Sequence, residues 1–143
     1  MPHHSNDQTL RYALTSNAVI SLTCGLILIF FANKLAHLLF VNQFTLFSMN
    51  DTTIVMLVGM GLVLFAALIF YTIRQAPLTA GMAYFITAQD IGWVLGCSAI
   101  AFCFAQAFSS TGYILFIAQI IMIGFIAVWQ LIGLQKMTTR AHV

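Results

Sequence analysis

The sequence predicts an all-α, polytopic membrane protein: four transmembrane helices in an antiparallel bundle, with both termini in the cytoplasm. Three observations lead there. Hydrophobic residues make up 62% of the 143-residue chain and charged residues 6%, with a mean hydropathy of +1.01, whereas soluble domains carry roughly 25% charged residues. Apolar stretches of span length consume most of the chain, because a helix needs about 20 residues to cross a hydrocarbon core of ~30 Å. Arg11, Arg74, Lys136 and Arg140 fall on one side of a four-span layout and only Lys34 on the other, and basic residues near span ends are retained in the cytoplasm. Residues 1–143 therefore form a single membrane domain, with no room for a separate soluble one.

The first span is placed at about 13–32, since Ala18 through Ala32 is apolar apart from Ser21, Thr23 and Cys24. Its length, without a convincing Ala-x-Ala site after it, favours a retained span over a cleaved signal peptide. Asn33-Lys34 interrupts the run, and Leu35, Leu38, Leu39 and Val41 resume an apolar face around His37. A short interfacial helix over 34–41 is expected there, in preference to a tilted continuation with a snorkelling lysine. Residues 42–53, with Ser48, Asn50 and Asp51, read as a loop close to the membrane surface. The second span, 54–73, carries no charge and is stopped by Arg74-Gln75-Ala76-Pro77, where proline disfavours helix at the residue before it. The third is placed at 79–107, and Ser109-Ser110-Thr111-Gly112 separates it from the fourth at 113–134. Short connections make consecutive helices antiparallel neighbours. Tyr12, Tyr71 and Tyr84 fall near the inner boundary and Tyr113 near the outer one, where amphipathic rings are favoured.

Several functions are disfavoured by composition. The net charge of +2 comes from residues that set topology, so no nucleic-acid surface is implied. Cys24, Cys97 and Cys103 form no Cys-x-x-Cys pair and read as small packing residues, without a zinc site or redox disulfide. His3, His4 and His142 belong to the tails, leaving His37 as the histidine nearest a span. Haem held by two histidines across the bundle would need a second one at depth. No metal or other cofactor is expected.

Small residues mark where helices approach. Gly92 and Gly96 form Gly-x-x-x-Gly in the third span, a pattern that admits a neighbouring backbone. Asn17, Ser21, Cys24 and Gly25 make a small, mildly polar stripe on the first span. Gly59, Gly61, Ala66 and Ala67 thin the second, and Gly124 the fourth. Together they predict an inward-facing seam. Gly92 and Gly96 serve either packing within the chain or a homo-oligomer.

Asp90 is the one acidic residue inside the four apolar stretches, and a carboxyl at bilayer depth is costly enough to mark a functional candidate. Entering near Thr79, a rise of ~1.5 Å per residue puts it roughly 16 Å deep. Ser21 reaches a comparable depth, Asn17 lies nearer the inner surface, and Gln119 descends about 10 Å from the outer side. Thr87 and Trp93 share the face of Asp90 at a spacing of three. The expected polar cluster is Asn17, Ser21, Thr87, Asp90, Trp93 and Gln119. It can be interhelical glue, at about 1 kcal/mol per interaction. It can be a midplane cavity for a small lipophilic or cationic molecule, with Asp90 as charge partner and Trp93 as wall. It can also carry a proton in coupled transport. Catalysis is disfavoured, because Asp7 and Asp51 lie outside the spans and no second acid, histidine or metal set stands at matching depth.

Gly25-Leu26-Ile27-Leu28-Ile29-Phe30, then Leu35-Ala36-His37-Leu38-Leu39, a glycine-containing second helix, and Asp90-Ile91-Gly92-Trp93-Val94-Leu95-Gly96 together resemble small four-helix bacterial membrane proteins of the DoxX-like kind. The resemblance covers most of the chain. It implies a four-helix bundle in the bacterial cytoplasmic membrane, and brings no agreed substrate. Small multidrug transporters have a similar length and span number, but their essential acid is a glutamate in the first helix, where this chain has none. The expected function is binding or transport of a small hydrophobic or cationic molecule beside Asp90. The alternative is a structural or accessory membrane subunit with Asp90 as glue.

Overall fold

The computed structural model of the protein describes residues 4–41, 45–46, 49–75 and 78–138. Among these residues five α-helices carry the fold: α1 (His4–Phe30), α2 (Ala32–Leu39), α3 (Asp51–Arg74), α4 (Ala80–Cys103) and α5 (Ser110–Thr138). Gln8–Phe30, Asp51–Arg74, Ala80–Cys103 and Ser110–Lys136 are each long and apolar enough to cross a membrane. They also present bulky apolar side chains outward, among them Phe30, Leu64, Phe102 and Phe125, a surface suited to lipid rather than water. The chain is a multi-pass membrane protein by these measures.

The helix ends follow local chemistry. Asn50 caps α3 by accepting from the Thr53 backbone N–H, satisfying a donor that the first turn leaves free. At the other end of α3, the Arg11 guanidinium donates to the carbonyls of Ile73 (2.6 Å) and Gln75 (3.0 Å), placing positive charge where a helix end is negative. This basic end also holds the main apolar core, in which Leu10, Leu14, Ala18, Ile69, Leu78, Ala83, Ile86 and Leu134 meet. Pro77, the tail residues His3, Arg140 and His142, and parts of the expected 42–53 loop (42–44 and 47–48) lie outside the described residues.

At the opposite end the chain bends at Phe31 into α2, which buries Ala32 and Ala36 against Val55 and leaves Lys34 and His37 exposed. The interruption at Asn33-Lys34 thus gives a separate short helix, starting at Ala32. A two-residue hairpin pairs β1 (Thr45–Leu46) with β2 (Met49–Asn50). α4 stops at Cys103, short of the expected 107, and a 3-10 turn (Ala105–Ala107) follows. That turn docks on the end of α2: Val41 N–H donates to Ala107 O (3.1 Å), Ser109 N–H to Leu39 O (2.8 Å), and Phe108 stacks on Phe116.

α1 packs along α3 and α5, and α4 packs along α5 while touching α3 little. Two glycines set the α1–α3 contact. A Cβ on Gly25 would lie 2.8 Å from the Gly59 carbonyl oxygen, and one on Gly59 equally close to that of Gly25. Gly133 likewise admits Leu10 of α1. Four glycines of the expected seam are corrected, while its Asn17, Ser21 and Ala66 are buried: Gly61, Gly92, Gly96 and Gly124 have nothing within 4 Å of an added Cβ. For α4 the reason is angular. Its buried stripe is Ala83, Ile86, Thr87, Asp90, Cys97 and Ala101, and at 3.6 residues per turn Gly92 and Gly96 lie about 200° and 240° round from Asp90. They face outward.

Candidate functional site

Asp90 ties three helices together. Asn17 Nδ2 of α1 donates to its Oδ2 at 2.6 Å, and Gln130 Nε2 of α5 donates to the same oxygen at 2.9 Å. Each amide is anchored in turn. Ser21 Oγ donates to Asn17 Oδ1 at 3.1 Å. Thr87 Oγ lies 2.8 Å from Gln130 Oε1 and 2.9 Å from Ala83 O; a hydroxyl has one proton, so these two acceptors share it. All five residues are buried, with Gln130 at 0% and Asp90 at 4% exposure.

Helical spacing explains how these groups converge. Asn17 and Ser21 are four apart on α1, and Thr87 and Asp90 three apart on α4, so each pair shares a face. Gly133, one turn beyond Gln130, lets α1 approach α5 closely, and this brings the Gln130 amide into line with Asn17.

The carboxyl is half used. Both donors converge on Oδ2, and Oδ1 receives no hydrogen bond from the described residues. Among the described residues no basic side chain reaches Asp90 either: Arg11 is engaged at the end of α3. Trp93 stands one turn further along α4, where side chains lean back toward the helix N-terminus and so toward Asp90. Its Nε1–H is buried and has no acceptor.

Of the expected cluster, the structure brings Asn17, Ser21, Thr87 and Asp90 into one network, with Trp93 alongside. Gln119 is not part of it. It is half-buried and makes no hydrogen bond to Asp90 or Trp93. Its expected role falls to Gln130, about 16 Å further along α5 by helical rise. Gln130 stands eight residues before the end of α5 at Thr138, and its side chain reaches the same Asp90 oxygen as Asn17. An amide in an apolar run is the signal that could have found it.

No group of three metal-binding side chains occurs among the described residues. Cys24, Cys97 and Cys103 are free thiols. Two shallow hollows lie elsewhere: one of about 210 Å³ is lined by Phe125, Val128, Trp129 and Ile132, and one of about 270 Å³ by Phe30, Phe31, Asn33 and Lys34. Neither includes a residue of the network. No family model, no curated protein and no solved structure matches the chain.

Proposed function

We propose that this protein binds or transports a small hydrophobic or cationic molecule within the membrane, at the junction of α1, α4 and α5, and that it is not an enzyme. The observation behind this reading is the pair of unanswered polar groups on one face of α4. Asp90 Oδ1 receives no hydrogen bond from the described residues and Trp93 Nε1 is a buried donor without an acceptor. A buried donor is paired in the great majority of cases, so the Trp93 exception points to a role, and the open Asp90 Oδ1 three positions back on α4 stands beside it. In the same proposal the four spans form an antiparallel bundle in a bacterial cytoplasmic membrane, as the DoxX-like resemblance implies, with both termini cytoplasmic. The succession of contacts between α1 and α3, Arg11 with Ile73 and then Gly25 with Gly59, supports opposed directions. A homo-oligomer belongs to it too, through the outward face with Gly92 and Gly96.

A second reading has its own support. Asn17, Ser21, Thr87 and Gln130 all find partners inside the cluster, as interhelical glue in a structural or accessory subunit would. Thermal denaturation of the purified protein in detergent separates the two. Tetraphenylphosphonium and a long-chain alcohol are added to wild type, Asp90→Asn and Asp90→Leu. Binding at Asp90 predicts that at least one probe stabilises wild type and loses its effect in a variant. Equal stabilisation of all three proteins by every probe would leave only the structural reading.

A further inference from the structure

We infer that the ligand at this junction carries a neutral oxygen, a carbonyl or a hydroxyl, rather than an ammonium or another purely cationic head. This rests on the binding reading above and narrows it. The decisive group is Trp93. An indole nitrogen donates and never accepts, and this one is buried without an acceptor, so whatever answers it must supply a lone pair. Ammonium and phosphonium heads have none, and a hydrocarbon has none. Their attraction to Asp90 would leave the indole N–H unpaired, at the cost a buried unsatisfied donor carries.

Asp90 strengthens the same selection. With Oδ2 already taking two amide donors, the carboxyl meets a ligand through Oδ1. A hydroxyl can accept from the indole while giving its proton to Oδ1. A carbonyl oxygen has two lone pairs, one for the indole and one for a proton carried on Oδ1. In either case a single ligand oxygen bridges Trp93 and Asp90, while its apolar part lies among the helices or in lipid.

The test uses the full chain in detergent with the other tryptophan, Trp129, replaced by phenylalanine, so that indole emission reports Trp93 alone. Probes of matched chain length are a dodecyl ketone, dodecanol, dodecylammonium and dodecane. The ketone or the alcohol should shift Trp93 emission to the red and raise the denaturation midpoint more than the ammonium or the alkane does. Trp93→Phe, which keeps a ring and deletes the N–H, should erase that preference without lowering the probe-free midpoint. Two results overturn the inference: dodecylammonium matching or exceeding both oxygen probes, or an oxygen preference that survives Trp93→Phe. Asp90→Asn distinguishes the levels of failure. If dodecylammonium stabilises wild type but not Asp90→Asn and the oxygen probes do nothing, the site stands and its oxygen selectivity fails. If no probe acts differently on wild type and Asp90→Asn, and Trp93 emission does not move, the binding reading itself fails.

Discussion

Two glutamines eleven positions apart on α5 should behave very differently when replaced by leucine. Gln130→Leu deletes the donor at 2.9 Å from Asp90 and the acceptor at 2.8 Å from Thr87. Neither partner is stranded, since Asn17 still donates to Asp90 Oδ2 and Thr87 turns to Ala83 O, so the loss is that of the two bonds. Polar contacts between membrane helices average about 0.6 kcal/mol and reach about 1.7, which gives a cost of about 1–3 kcal/mol. Gln119→Leu removes no hydrogen bond of the network and should stay within about 0.5 kcal/mol of wild type. Reversible unfolding in mixed micelles, followed by circular dichroism, measures both. A Thr87→Val, Gln130→Leu double-mutant cycle should add a coupling of at least about 0.5 kcal/mol, as expected of residues in contact. Gln119→Leu costing as much as Gln130→Leu would refute the placement of α5 against Asp90.

The glycines give a parallel contrast. Gly25→Ala sets a methyl 2.8 Å from a backbone oxygen that cannot rotate away and should cost about 1–3 kcal/mol by overpacking, while Gly61→Ala, in open space, should be close to neutral in the same unfolding assay. Reporter fusions after Leu134 and within the 74–77 turn should report cytoplasm and one at Asn50 the outside; a cytoplasmic signal at Asn50 would remove the four-span arrangement. Cys24, Cys97 and Cys103 should remain reduced, and mass spectrometry without reductant would expose any disulfide between them.

Hydropathy made the spans legible because lipid imposes one solution, a continuous helix, on each long apolar run. The break at Asn33-Lys34 was legible for the same reason. Side-chain direction was less so. Gly92 and Gly96 match a contact pattern common to many apolar helices, and only the angular position of the buried stripe shows that they face away. Asp90, Asn17, Ser21 and Thr87 could be grouped because a costly polar atom at depth must find others. Their α5 partner could not be chosen from depth alone, since Gln119 and Gln130 stand in one apolar run and the packing of α5 against α1 and α4 decides which of them meets Asp90. The approach of α1 to α5 at Gly133 and Leu10, which completes the network, depends on tertiary packing that no local pattern encodes.

The most direct test is a crystal structure grown from a lipidic phase, read at Asp90 and Trp93. A non-protein group should bridge Trp93 Nε1 and Asp90 Oδ1 while Asn17 and Gln130 hold Oδ2. Trp93 Nε1 donating instead to a protein acceptor, with Asp90 Oδ1 closed off by protein side chains, would contradict a binding site at this junction.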